Sequence, residues 1–78
     1  MEFTKSSLIK YIIDRLETER NIDITVSNIR MNDETEVALA DVSYIWFLNA
    51  TEHYAKHLNS AFKFSEENKE WKSADFWE

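Results

Sequence analysis

Glu36-Val37-Ala38-Leu39-Ala40-Asp41-Val42-Ser43-Tyr44-Ile45-Trp46-Phe47-Leu48 is the stretch on which the fold turns. Its alanines suit a helix, but Val, Tyr, Ile, Trp and Phe crowd its second half, and β-branched and aromatic side chains favour a pleated strand. Read as extended, it places Ala38, Ala40, Val42, Tyr44, Trp46 and Leu48 on one side, and Asp41 and Ser43 on the other beside Val37, Leu39, Ile45 and Phe47. The reading adopted is a strand.

Working towards the N-terminus, Asn32-Asp33-Glu34-Thr35 reads as a turn. Before it, Ile22, Ile24 and Val26 alternate with polar residues, and the apolar side resumes at Ile29 and Met31. A one-residue slip in a period of two is what a β-bulge produces, which places one near Ser27-Asn28. Leu8, Ile12 and Leu16 fall at i, i+4 and i+8, so Lys5–Glu19 reads as an amphipathic helix with Thr4 as its N-cap and Asn21 as its stop.

Working towards the C-terminus, Asn49-Ala50-Thr51-Glu52 resembles a capping box. It predicts a helix over residues 50–62 with Tyr54, Ala55, Leu58, Ala61 and Phe62 on one face. Ser65, followed by Glu66 and Glu67, predicts a last short helix carrying Trp71, Ala74 and Trp77. The expected fold is therefore α+β in the order α-β-β-α-α, an antiparallel β-hairpin packed on helices within one compact domain spanning residues 1–78.

Composition narrows the function. The chain has no glycine, proline or cysteine. Phosphate loops, dinucleotide fingerprints and nucleophile elbows require glycine, and disulfides and thiolate metal sites require cysteine. Turns with positive φ must then come from residues that tolerate it, with Asn21, Asn28, Asn32 and Asp33 as the candidates. The start of the chain is polar and no uncharged apolar run reaches the length of a membrane span, so a cytoplasmic protein is expected.

His53 and His57 stand at i, i+4, a spacing that joins two metal ligands on one helix face, but no third histidine and no cysteine completes the set. They are weak metal candidates, and no metal or cofactor is expected. Acidic pairs abound without any sign of burial, and no nucleophile has a placed base. A catalytic role is not expected.

The net charge is −6, unevenly placed. Residues 1–31 carry five bases and five acids, whereas residues 32–78 carry four bases and ten acids, so the whole excess lies in the second part. Such a surface repels nucleic acid and attracts a basic protein. The acids are interleaved with rings near the C-terminus. Glu66, Glu67, Glu70, Asp75 and Glu78 supply charge, and Trp71, Phe76 and Trp77 supply anchors, for a partner-binding site; the equal alternative is that Trp71 and Trp77 close the core and the acids keep the domain soluble.

Trp71-Lys72-Ser73-Ala74-Asp75-Phe76-Trp77 is similar to the acidic terminal helix of the small damage-inducible modulators of the bacterial recombinase filament. The resemblance implies a helix that engages its partner where DNA would. The chain as a whole resembles, in style, phage and mobile-element inhibitors of host nucleic-acid machinery, including anti-CRISPR proteins. The function expected is thus a non-catalytic inhibitor or adaptor occupying a basic, nucleic-acid-binding surface of a partner. The alternative is a self-associating accessory protein whose acids only confer solubility, with Ile9 or Tyr11 of the first helix packing against a second copy to form a homodimer.

Overall fold

The computed structural model describes residues 2–73. One helix, α1 (Lys5–Thr18), is followed by four strands: β1 (Ile22–Asn32), β2 (Val37–Phe47), β3 (His53–Ser65) and β4 (Glu70–Ser73). The strands form one antiparallel meander in the order β1-β2-β3-β4. The α+β class stands. The order is α-β-β-β-β, not α-β-β-α-α.

Helix α1 forms as its pattern dictates. Thr4 accepts the Ser7 N–H at 3.1 Å, and Ser7 Oγ accepts the Thr4 N–H at 3.3 Å, a reciprocal cap that satisfies two donors the helix leaves free. At the other end Arg20 adopts φ 66°. Its N–H reaches Glu17 O at 2.9 Å, and the Asn21 N–H reaches Leu16 O at 3.0 Å. This double bond pattern is the Schellman motif, with arginine in the left-handed position glycine usually takes. Asn21 ends the helix by reaching back, its Nδ2 donating to the same Leu16 carbonyl at 3.1 Å.

Leu8, Ile12 and Leu16 are fully buried against Ala38, Ala40, Val42, Phe62, Phe64 and Trp71. Each such large side chain contributes about 1.5–3 kcal/mol. The alanines of β2 are small because the core cluster packs directly on that strand. Tyr11 adds an edge-on contact to Phe62, with ring centroids 6.1 Å apart.

The strand assigned to residues 36–48 is present as β2, Val37–Phe47, and the side that carries Ala38, Ala40 and Val42 faces the core. The bulge expected near Ser27-Asn28 is also present: Asn28 has φ 51°, and the pairing shifts between Ser27↔Asp41 and Arg30↔Leu39. A second shift follows Ile22, with Asp23 at φ 53°. Of the four residues proposed for positive φ, only Asn28 adopts it; Arg20, Asp23, Glu36 and Lys69 take the other such positions among the described residues.

The two C-terminal helices are corrected to strands. Residues 53–65 form β3, paired with β2 without a break from Val37↔Lys63 to Phe47↔His53. Tyr54, Leu58 and Phe62 are spaced by four, which keeps one face in a strand as well as in a helix, so the apolar spacing fits both. The cap signal at Asn49 is real but closes a hairpin. Asn49 Oδ1 accepts the N–H groups of Thr51 at 2.9 Å and Glu52 at 3.0 Å, and the chain then turns into β3. Ser65 likewise accepts the Asn68 N–H at 3.3 Å inside the turn that leads to β4. Asx and Ser turns use the same side-chain oxygens as helix caps.

Strands β2 and β3, of 11 and 13 residues, span roughly 36–43 Å, whereas the 14 residues of α1 span about 21 Å. The helix therefore covers only part of its sheet face, and the molecule is elongated, 44 × 22 × 21 Å. No helix of the described residues is long and apolar enough to cross a membrane.

Candidate protein-binding surface

A meander sends the β1–β2 and β3–β4 turns to the same end of the sheet, and the N-terminus of α1 lies there too. Phe3 stacks on Trp71 at 5.3 Å and packs against Phe64 at 5.8 Å. Phe64 N–H donates to Glu36 O at 2.9 Å, and Lys63 Nζ reaches Thr35 O at 2.6 Å. Glu2, Asp33, Glu34, Glu36, Glu66, Glu67 and Glu70 thus gather with four lysines, Lys5, Lys63, Lys69 and Lys72. All but Glu36 are exposed. Six of the ten acids of residues 32–78 stand at this one acidic pole, while Asp41 lies in mid-sheet and Glu52 in the turn at the other end.

Within the acidic pole, Glu36 and Glu66 act on each other. Loss of water around Glu36, and then the neighbouring Glu66 carboxylate, push the Glu36 carboxyl above its ordinary value. Glu66 moves the other way, held down first by its hydrogen bond with Lys69, 2.6 Å away, and then by Glu36. Lys69 is raised by the same bond. The bridge is solvent-exposed, so screening leaves it little weight in stability.

The sequence placed acids and rings together; among the described residues the acids of the site are Glu66, Glu67 and Glu70 and its ring is Trp71. Glu66 and Glu67 lie in the β3–β4 turn and Glu70 begins β4, all exposed. Trp71, expected as an anchor, is only 4% exposed; it sits between Phe3 and Phe64, and its indole N–H donates to Ser7 Oγ at 2.9 Å. The stretch Trp71–Ser73 is strand, so the helix implied by the filament-modulator resemblance is absent over these residues. Asp75, Phe76, Trp77 and Glu78 lie outside the described residues.

Among the described residues, exposed rings occur at the opposite pole, beyond the C-terminus of α1. Phe47 is 43% and Tyr54 47% exposed, with Leu48 at 58% and Ile22 at 47% beside them. Trp46 packs against Tyr54 at 5.4 Å, and Lys56 Nζ lies 5.3 Å from the Trp46 ring centre. An open groove of about 830 Å³ runs past Glu19, Arg20, Tyr44, Trp46 and Lys56. The sequence reading missed it because it gave Tyr54 to a helix; strand parity between Trp46 and Tyr54 would have found it.

His53 and His57 do not meet. On a strand, residues four apart share a face but stand about 13 Å from each other. His53 packs against Phe47 at 5.7 Å, and His57 Nδ1 hydrogen-bonds Ser43 Oγ at 2.8 Å. No group of three metal-ligating side chains occurs among the described residues. Ile9 and Tyr11, the expected self-association face, are half-buried.

Comparison with protein-family models, curated proteins and solved structures finds no match.

Proposed function

We propose that this chain is a non-catalytic, cytoplasmic module that binds a basic protein surface through its acidic pole, as an inhibitor or adaptor competing with nucleic acid for that surface. One observation carries the reading: two turns and the start of a helix, distant in sequence, converge so that Glu2, Asp33, Glu34, Glu66, Glu67 and Glu70 face solvent together. Asp75 and Glu78 add charge after β4 in the sequence, and Phe76 and Trp77 offer apolar contact. Trp71 serves the pole from behind, by fixing β4 to the helix. A field of one sign at a rigid end accelerates encounter with the opposite sign and confers specificity more than raw affinity.

The phage or mobile-element counter-defence role belongs to this reading, because mimicry of a phosphate backbone needs clustered carboxylates and little else. The test is a pull-down from the source cell with the wild type and with Glu66→Lys/Glu67→Lys/Glu70→Lys, each first shown to be folded. A nucleic-acid-binding protein retained by the wild type, lost by the variant and displaced by nucleic acid supports the reading. Equal retention by both contradicts it.

A further inference from the structure

We infer that β3 pairs edge to edge, antiparallel, with β3 of a second copy of this chain. The inference does not depend on what the acidic pole binds, because it rests on the other half of the same strand.

Strand β4 covers only Phe62–Ser65 of the outer edge of β3. From His53 to Ala61 nothing lies beside that edge among the described residues. The Phe64 N–H points towards β2, donating to Glu36 O at 2.9 Å. Alternation along an antiparallel strand then turns the N–H and C=O groups of Ala61, Asn59, His57 and Ala55 outwards. An unpaired row of this kind is a template for another strand, and folded proteins blunt such edges with bulges, charges or proline.

The opposite edge of the sheet is blunted in that way. Strand β1 breaks register twice, at the positive-φ residues Asp23 and Asn28, and exposes Asp23 and Arg30. On the β3 edge the exposed Lys56 is the one such device among the described residues. The register of β3 with β2 is unbroken, and His53-Tyr54-Ala55-Lys56-His57-Leu58-Asn59-Ser60-Ala61 contains one formal charge and no proline. A regular nine-residue edge without an acid lets two copies of a chain of net charge −6 approach along it.

Charge also selects the direction. Antiparallel pairing about a two-fold axis at His57 sends the two acidic poles to opposite ends of the assembly, whereas parallel pairing sets them side by side. The symmetric arrangement is isologous and closes on itself, giving a dimer with one continuous sheet. Ala55 then faces Asn59 of the second copy, and Asn59 faces its Ala55.

The test is sedimentation velocity on the full chain over a concentration series, with two edge variants. Asn59→Pro removes an outward N–H without touching the β2 ladder, and Ala55→Lys/Asn59→Lys sets like charges opposite each other at both symmetric positions. The wild type is expected to sediment at twice the mass of the chain. Both variants are expected at the mass of one chain with circular dichroism spectra unchanged. Amide exchange at Ala55, His57, Asn59 and Ala61 is expected to speed up on dilution of the wild type. A wild type that stays monomeric at the highest concentration overturns the inference, as does a dimer that survives both variants. A monomer that dimerises only when residues 74–78 are deleted also overturns it, since the chain's own C-terminus would then occupy the edge.

Discussion

The Trp71 indole N–H donates to Ser7 Oγ at 2.9 Å, joining residues 64 positions apart. Ser7 is also the residue that closes the cap of α1, so one hydroxyl fixes the helix start and the last strand to each other. A buried donor that loses its acceptor costs about 1–3 kcal/mol, whereas removing both partners costs less. Ser7→Ala and Trp71→Phe are each expected to destabilise the protein in urea titrations. The double variant is expected to lose less than the sum of the two. Strict additivity would show that the bond contributes nothing.

The parity of β2 is tested by neighbours. Ala40 is fully buried in the core that α1 closes, and Leu39 is 40% exposed on the open face. Ala40→Leu is expected to cost about 1–3 kcal/mol through overpacking. Leu39→Ala is expected to stay within about 0.5 kcal/mol of the wild type, as surface changes do. The reverse order in denaturant midpoints would place the helix on the wrong face.

Absence of glycine leaves strain at turns. Arg20 ends α1 at φ 66°, a conformation that costs a residue with a Cβ about 1–2 kcal/mol. Arg20→Gly relieves it against about 0.5–1 kcal/mol of added chain entropy. The net gain, up to ~1 kcal/mol, is expected as a rise in Tm of several degrees. A fall in Tm would mean that the arginine side chain contributes more than its backbone costs.

How much of this was legible beforehand follows the local physics. Helix α1, its Thr4 cap, the Asn28 bulge and the β2 strand were readable because each is set by neighbours a few residues away. The second half was not. Asn49 and Ser65 signal a chain reversal held by a side-chain oxygen, and the same atoms cap helices. Tyr54, Leu58 and Phe62 keep one face in either conformation, and only pairing with β2, which no local pattern reveals, selects the strand. The candidate site was legible as charge but not as place. The sequence counted the acids of residues 32–78, while the meander decided that Glu36 would stand beside Glu66. It also put Trp71 in the core, on the opposite side of β4 from its neighbours Glu70 and Lys72.

Glu36 and Glu66 make the acidic pole pH-sensitive in a definite direction. A carboxyl raised on folding stabilises the protein below its unfolded pKa, and that contribution is lost as pH rises through the folded value. Glu66, lowered by Lys69, does the opposite: its contribution is present above the unfolded pKa and lost as pH falls through the folded one. Lys69, raised, keeps its contribution until pH climbs through its own folded value. Glu36→Gln removes the first of these and weakens the other two, which rest mainly on the Glu66–Lys69 bond. It is expected to raise stability at neutral pH, with the gain vanishing in acid where both carboxyls are protonated. A gain that persists in acid would assign the effect to packing instead.

The central claim is that the acidic pole binds a basic surface electrostatically, and salt tests it most directly. Affinity of the purified chain for its captured partner, measured across a series of salt concentrations, is expected to fall steeply with ionic strength, and Glu66→Lys/Glu67→Lys/Glu70→Lys is expected to weaken binding at low salt and flatten that dependence. Affinity indifferent to salt, and unchanged by reversing those three charges, would contradict it.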